Sequence, residues 1–267
     1  MLRIIQFDLS HYLQLRNILL MTLFFLALAI FNVFELLTIT GNASIADLFL
    51  FVFGGVPEGL YTNVWFILRW IITYMIFVLL FGQMLTRDFA ENRLYLLIRI
   101  KSKQTYIFSK MITLVLFTFV YVLIGFVIVY VVGGLSLTKE MSFSSEFRAS
   151  LGLEDVSFSI LHLFILEILG FLCVGMLLIL LGCFSRLSKH SAVVAAVLLF
   201  LNTKLFTIWD SLHWFAFLQK SMSFLHVKSL HHPIPYKIEN STLYLTCIFV
   251  LLFLLTAWIF HKKDVSV

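Results

Sequence analysis

The sequence predicts an all-α integral membrane protein, and three observations lead there. Apolar residues make up 61% of 267 positions and charged residues only 12%, with a mean hydropathy of +1.04, so there is too little polar surface to coat a soluble globule. Apolar runs recur at about twenty residues, the length a helix needs to cross roughly 30 Å of hydrocarbon. Those runs lack the alternation of outer-membrane strands, which points to helices and not to a β-barrel.

Taken in order, residues 1–16 place Leu2, Ile5, Leu9, Tyr12 and Leu13 at helical spacing, with Arg3, Gln6, Ser10, His11 and Gln14 between them. That pattern predicts an amphipathic N-terminal helix lying in the membrane interface. A cleaved signal peptide fits less well. The apolar run continues unbroken past Ala27-Leu28-Ala29 and lacks a compact basic start. The first span covers about 17–37. Residues 47–53, apolar after Asp47, are too few to cross, and Gly54-Gly55 and Pro57-Glu58-Gly59 stop them, so they are expected to dip into the outer interface.

The second span is expected at 64–85 and the third at 111–135, the latter ended by Gly133-Gly134. Residues 136–156 are polar and acidic, carrying Glu140, Glu146, Glu154 and Asp155. The fourth span follows at 157–184, and the fifth, 191–206, is short and carries Asn202 and Lys204. Beyond it, Ile208, Leu212, Phe215, Leu218, Met222 and Leu225 recur every three or four residues, interrupted by Asp210, Lys220 and Lys228. Re-entrant or interfacial helices fit that stretch better than a further crossing. The sixth span is 243–260. The whole of 1–267 reads as one transmembrane domain with no internal repeat.

Six spans put both termini on one side. If that side is the cytoplasm, it holds Arg3, Arg16, Arg87, Arg93, Arg99, Lys101, Lys103, Lys110, Arg186, Lys189, Lys262 and Lys263. The outer loops keep Lys139, Arg148, Lys220, Lys228 and Lys237. This is the positive-inside bias of a multi-pass protein of the cytoplasmic membrane, and it explains the net charge of +5 without nucleic acid. Cys173, Cys183 and Cys247 all sit in apolar runs and read as small buried hydrophobes with no disulfide framework.

The longest charge-rich interruption is 86–110, TRDFAENRLYLLIRIKSKQTYIFSK. Basic residues at span ends serve topology and anionic lipid. Here acidic Asp88 and Glu91 are interleaved with Arg87 and Arg93, and Phe89, Leu94, Leu97 and Ile98 offer an apolar face, which suits docking to a protein.

With Glu91-Asn92-Arg93, the run 94–97, Lys101-Ser102-Lys103 and Ser109-Lys110 in these places, the sequence resembles the ABC-2 type permease family. These are the membrane subunits of ATP-binding-cassette exporters. Asn92 and Arg93 stand where that family usually has a Gly-Thr-like pair, and its proline before the turn is absent, with Ile100 nearby. The resemblance extends to the order of features: leading interfacial helix, six spans, docking segment between spans two and three, re-entrant elements before the last span.

The resemblance implies that 86–110 is a coupling helix on a separate cytoplasmic ATPase, present in two copies, with Arg87, Asp88, Glu91, Arg93, Leu94 and Leu97 at the contact. It also implies a second permease subunit, identical or homologous. No cofactor is expected in this chain, because ATP and Mg belong to the partner. The sequence lacks a G-x-x-x-x-G-K-[ST] loop, which fits that division of labour. The implied cargo is hydrophobic or amphipathic: a peptide, an antimicrobial or a lipid-like molecule. Bacteriocin or lantibiotic export, or immunity, in a bacterium is the expected setting. The rival reading is a non-transporting scaffold or sensor that docks a cytoplasmic partner through 86–110.

Glu35, Arg69, Glu167 and Lys204 fall within or at the ends of spans, where an unpaired charge costs about 2.5–3.5 kcal/mol or more. Arg69 lies some 8 Å below the outer end of its span, within snorkelling reach. Glu167 lies about 15 Å into span four, too deep for that. The expectation is an ion pair between Glu167 and Arg69 that ties span four to span two.

An enzyme is not expected. His162, His213, His226, His231 and His232 form no H-E-x-x-H pattern, no G-x-S-x-G elbow occurs, and no metal-ligand set can be named.

Overall fold

The computed structural model describes residues 2–56, 64–90, 103–155, 159–183, 193–195, 197–198, 221–226, 228–229 and 237–262. Among them the protein is almost wholly helical. The helices are α1 (Leu2–Tyr12), α2 (Leu15–Thr40), α3 (Ile45–Phe53), α4 (Val64–Ala90), α5 (Lys103–Ser136), α6 (Ser145–Ser150), α7 (Ile160–Cys183) and α8 (Ile238–Lys262). A 3-10 turn, Ser223–His226, and two short antiparallel strands, β1 (Leu153–Asp155) and β2 (Lys228–Ser229), complete the set. Five of these helices, α2, α4, α5, α7 and α8, are long and apolar enough to cross a membrane. The expected fifth span, 191–206, lies mostly outside the described residues, of which 193–195 and 197–198 are helical.

Aromatic rings set the helix directions. Phe81 meets Phe117 while Phe77 meets Tyr121, so α4 and α5 run antiparallel. Tyr121 meets Phe171 and Phe126 meets Phe164, which makes α7 antiparallel to α5 as well. The pairs Tyr106–Phe260 and Phe108–Phe253 do the same for α8. One end of the bundle therefore gathers α1, the end of α4, the start of α5 and the ends of α7 and α8. The opposite end carries α6, β1 and β2.

Apolar association is weak between helices in hydrocarbon, so close packing must hold the bundle. The rings supply much of it: Tyr74 and Phe171 stack at 4.2 Å and Phe53 and Phe126 at 4.5 Å between centroids. Offset or tilted aromatic pairs add about 0.5–1.5 kcal/mol each beyond their buried area.

The short apolar stretch after the first span is helical, as α3, and all nine of its residues are buried among α2, α5 and α7. It is enclosed by protein, not spread at an interface. Non-spanning backbone at that depth has to satisfy its polar groups internally. It does so through a capping box. Ser44 Oγ accepts from the Asp47 N–H at 3.2 Å, and Asp47 Oδ2 accepts from the Ser44 N–H at 2.9 Å. Asp47 Oδ1 also accepts from the Ser144 N–H at 3.1 Å, and the Phe224 N–H donates to the Gly54 carbonyl at 2.9 Å. Gly55 has φ +90° and meets Met222, so glycine is needed where the chain leaves the helix against the 221–226 segment.

Three expectations change. The segment 86–110 is not a loop throughout: α4 continues to Ala90 and α5 begins at Lys103, leaving 91–102 outside the described residues. A helix has no reason to stop where its apolar residues stop, because its hydrogen bonds are internal. Gly133-Gly134 does not end the third span, which continues to Ser136. A Cβ at Gly133 would lie 3.2 Å from Leu48 Cδ2, so the glycine serves close packing on α3. Finally, Cys247 is exposed on α8, whereas Cys173 and Cys183 are buried.

Candidate functional site

Three buried polar clusters stand out in this apolar bundle. At the α1 end, Lys110 Nζ donates to both Asp8 oxygens at 2.9 Å, and Thr113 Oγ1 donates to Asp8 Oδ2 at 3.4 Å. Both charged side chains are 1% exposed. The ammonium also sits 5.9 Å and 5.5 Å from the ring centres of Tyr12 and Tyr106. Helical spacing brings this about. Asp8 shares a stripe with buried Ile5 and Tyr12, and Lys110 shares one with Tyr106, Thr113 and Phe117. The pair fastens α1 onto the first turns of α5, next to the 91–102 link. Lys110, expected on the cytoplasmic side, is buried against Asp8.

The second cluster is Arg69–Glu35, 3.3 Å apart, joining α4 to α2. The guanidinium lies 3.8 Å from the Phe51 ring centre and 4.6 Å from that of Phe66. Such desolvated cation–π contacts contribute about 2 kcal/mol. Beside the pair an apolar groove of about 480 Å³ opens between α2 and α4, lined by Leu28, Phe31, Trp65, Leu68, Ile72 and Met75.

The third cluster is Glu167, 1% exposed on α7. Tyr74 donates its hydroxyl to Glu167 Oε2 at 3.2 Å, and Tyr74 Oη lies 3.0 Å from Ser221 Oγ. Among the described residues Oε1 has no hydrogen-bond partner. The expected Arg69–Glu167 pair is therefore replaced by two separate arrangements. The reason is rotational: five residues along α4 turn about 140°, so Arg69 faces α2 while Tyr74 faces α7.

Of the expected docking residues, Arg87 and Asp88 fall at the end of α4, and Glu91, Arg93, Leu94 and Leu97 lie outside the described residues. The expected 208–225 helices also lie largely outside them, and Lys204 does too. The end of that stretch, Ser221, Met222 and Phe224, is buried rather than interfacial. Among the described residues no three His, Cys, Asp or Glu side chains gather as a metal site.

Asp8, Tyr74 and Ser221 were not singled out from sequence. Asp8 carried a usable signal, a carboxylate on the apolar stripe of an amphipathic helix, as did Lys110 on the stripe of α5. Tyr74 and Ser221 carried none, since a hydroxyl in an aromatic-rich span is unremarked until the fold brings a carboxyl to it.

Apolar spans, an internally capped non-spanning helix and buried charge pairs define a multi-pass helical membrane protein. The chain belongs to the DUF2705 family, described as proteins of unknown function, whose family model matches residues 25–266. No curated protein matches it.

Proposed function

We propose that the chain is the transmembrane subunit of an ATP-driven exporter, with 91–102 and its helical flanks receiving the push of a separate cytoplasmic ATPase. The observation that carries this reading is the Asp8–Lys110 clamp beside two uninterrupted helices. Movement of the link would pass directly into α4 and α5, and α1 would move with them. A connector that only joined two spans would have no use for a buried, fully engaged ion pair at its root. Both terminal helices converge on this same end, which suits a cytoplasmic face rich in Lys and Arg.

In this reading the chain has six spans. α7 ends at the α1 end and α8 starts at the opposite one, which supports a return crossing between them, and 191–206 is the segment suited to it. The working unit would be two permease subunits, identical or homologous, and two ATPases. A hydrophobic or amphipathic cargo such as a peptide, antimicrobial or lipid-like molecule would pass along the subunit interface. A bacterial cytoplasmic membrane, with a role in peptide export or immunity, fits that cargo.

The test is purification of the tagged chain from its native membrane. The reading expects an ATPase with a G-x-x-x-x-G-K-[ST] loop to come with it. Replacing Glu91 and Arg93 together is expected to leave ATP hydrolysis running while export stops. Intact coupling in that variant would refute the docking role.

A further inference from the structure

We propose that Glu167 is an exchangeable proton-binding site within the span bundle, loaded through the hydroxyls of Tyr74 and Ser221. This stands apart from the exporter reading and does not depend on it. Among the described residues Glu167 Oε1 is buried and unpartnered, while Oε2 accepts from Tyr74 alone. No cation faces the carboxyl among the described residues. From α5, Tyr121 donates to the Thr73 carbonyl at 2.8 Å, and on α7 itself the Cys173 thiol donates to the Leu245 carbonyl at 3.3 Å. From α3, Asp47 is held by Ser44 and Ser144. Arg69 is committed to Glu35.

A bare carboxylate in such surroundings lacks the charge partner or donors that would replace water. A positive charge must therefore accompany it. Among the described residues the cluster offers the oxygens of one carboxyl and two hydroxyls, fewer than the roughly six that a hard cation takes. The two hydroxyls pack closely on Gly170, where an added Cβ would lie 2.6 Å from Tyr74 Oη and 3.0 Å from Ser221 Oγ. A proton needs no room.

The hydroxyls supply its path. A proton arriving at Ser221 Oγ lets Ser221 pass its own hydrogen to Tyr74 Oη, and Tyr74 passes its own to Glu167 Oε2. The carboxylate gains one proton, and each hydroxyl again carries one hydrogen, turned the other way along the chain.

Infrared spectroscopy of the full chain in lipid nanodiscs tests this at neutral pH. The expected result is a carboxylic acid C=O band that is lost in Glu167→Gln, shifts down after transfer to D2O, and shifts more slowly in Tyr74→Phe and Ser221→Ala. Tyr74→Phe keeps its ring on Phe171 and Glu167→Gln keeps the side-chain shape, so both should fold, and an unchanged elution profile checks that. Absence of the band in the wild type would overturn the proposal by showing an ionised carboxylate. A band that never shifts in D2O would also overturn it, as a sealed structural acid, and so would exchange in both hydroxyl variants as fast as in the wild type.

Discussion

Replacing Lys110 with methionine removes the ammonium but keeps most of the side-chain volume. It leaves the Asp8 carboxylate, 1% exposed, without the ammonium that donates to both of its oxygens. Removing one member of a buried pair costs about 3–5 kcal/mol, because the survivor's desolvation is no longer offset. Each 1.36 kcal/mol is about tenfold in the equilibrium, so 4 kcal/mol is on the order of a thousandfold. At about 2–4 °C per kcal/mol for a chain of this size, the unfolding midpoint should fall by about 10 °C. Tryptophan fluorescence in nanodiscs at one fixed scan rate reads it, since the unfolding of such proteins is commonly irreversible. The double replacement Asp8→Leu with Lys110→Met removes both charges and should recover most of the loss, because apolar residues of similar size replace buried pairs at little cost. A Lys110→Met variant as stable as the parent, or a double variant whose loss equals the sum of the two singles, would refute the clamp.

Three further outcomes follow from the same geometry. The side chain of Arg69 is 3% exposed and that of Glu35 18%, so Glu35→Gln, which strands the deeper charge, should cost about 3–5 kcal/mol and more than Arg69→Gln; combined with Glu167→Gln, Arg69→Gln should be additive within about 0.5 kcal/mol, because the two no longer share a partner. Asp47→Ala removes the acceptor for the Ser44 and Ser144 N–H groups and should cost about 2 kcal/mol, read as a lowered midpoint and faster proteolysis within 138–150. Gly125→Ala sets a Cβ 2.8 Å from the Phe25 ring, which Phe53 and Tyr121 hold in place, so a loss of about 1–3 kcal/mol is expected by thermal unfolding.

Hydropathy and helical spacing made five of the spans and the leading helix legible, because apolar length is dictated by the bilayer. What they could not supply was which helices touch. Arg69 is legible as a charge that needs a partner, yet that partner depends on which face of α4 turns toward α2, where Glu35 lies. The importance of α3 was itself hidden. A short apolar run looks like an interfacial dip, and only Ser44 and Asp47 at capping-box spacing signal a helix with a satisfied start. Helix ends were misjudged for a related reason. Lys103 to Lys110 is polar by composition, but Tyr106, Ile107, Lys110 and Thr113 make a buried stripe that continues into the span.

The most direct test of the central claim places a photo-crosslinking amino acid at Arg93 in living cells and identifies what it captures. The account predicts capture of a cytoplasmic protein bearing a phosphate-binding G-x-x-x-x-G-K-[ST] loop, from the inner face of the membrane. Capture of lipid alone, or labelling of the same position by a membrane-impermeant reagent added outside intact cells, would contradict it.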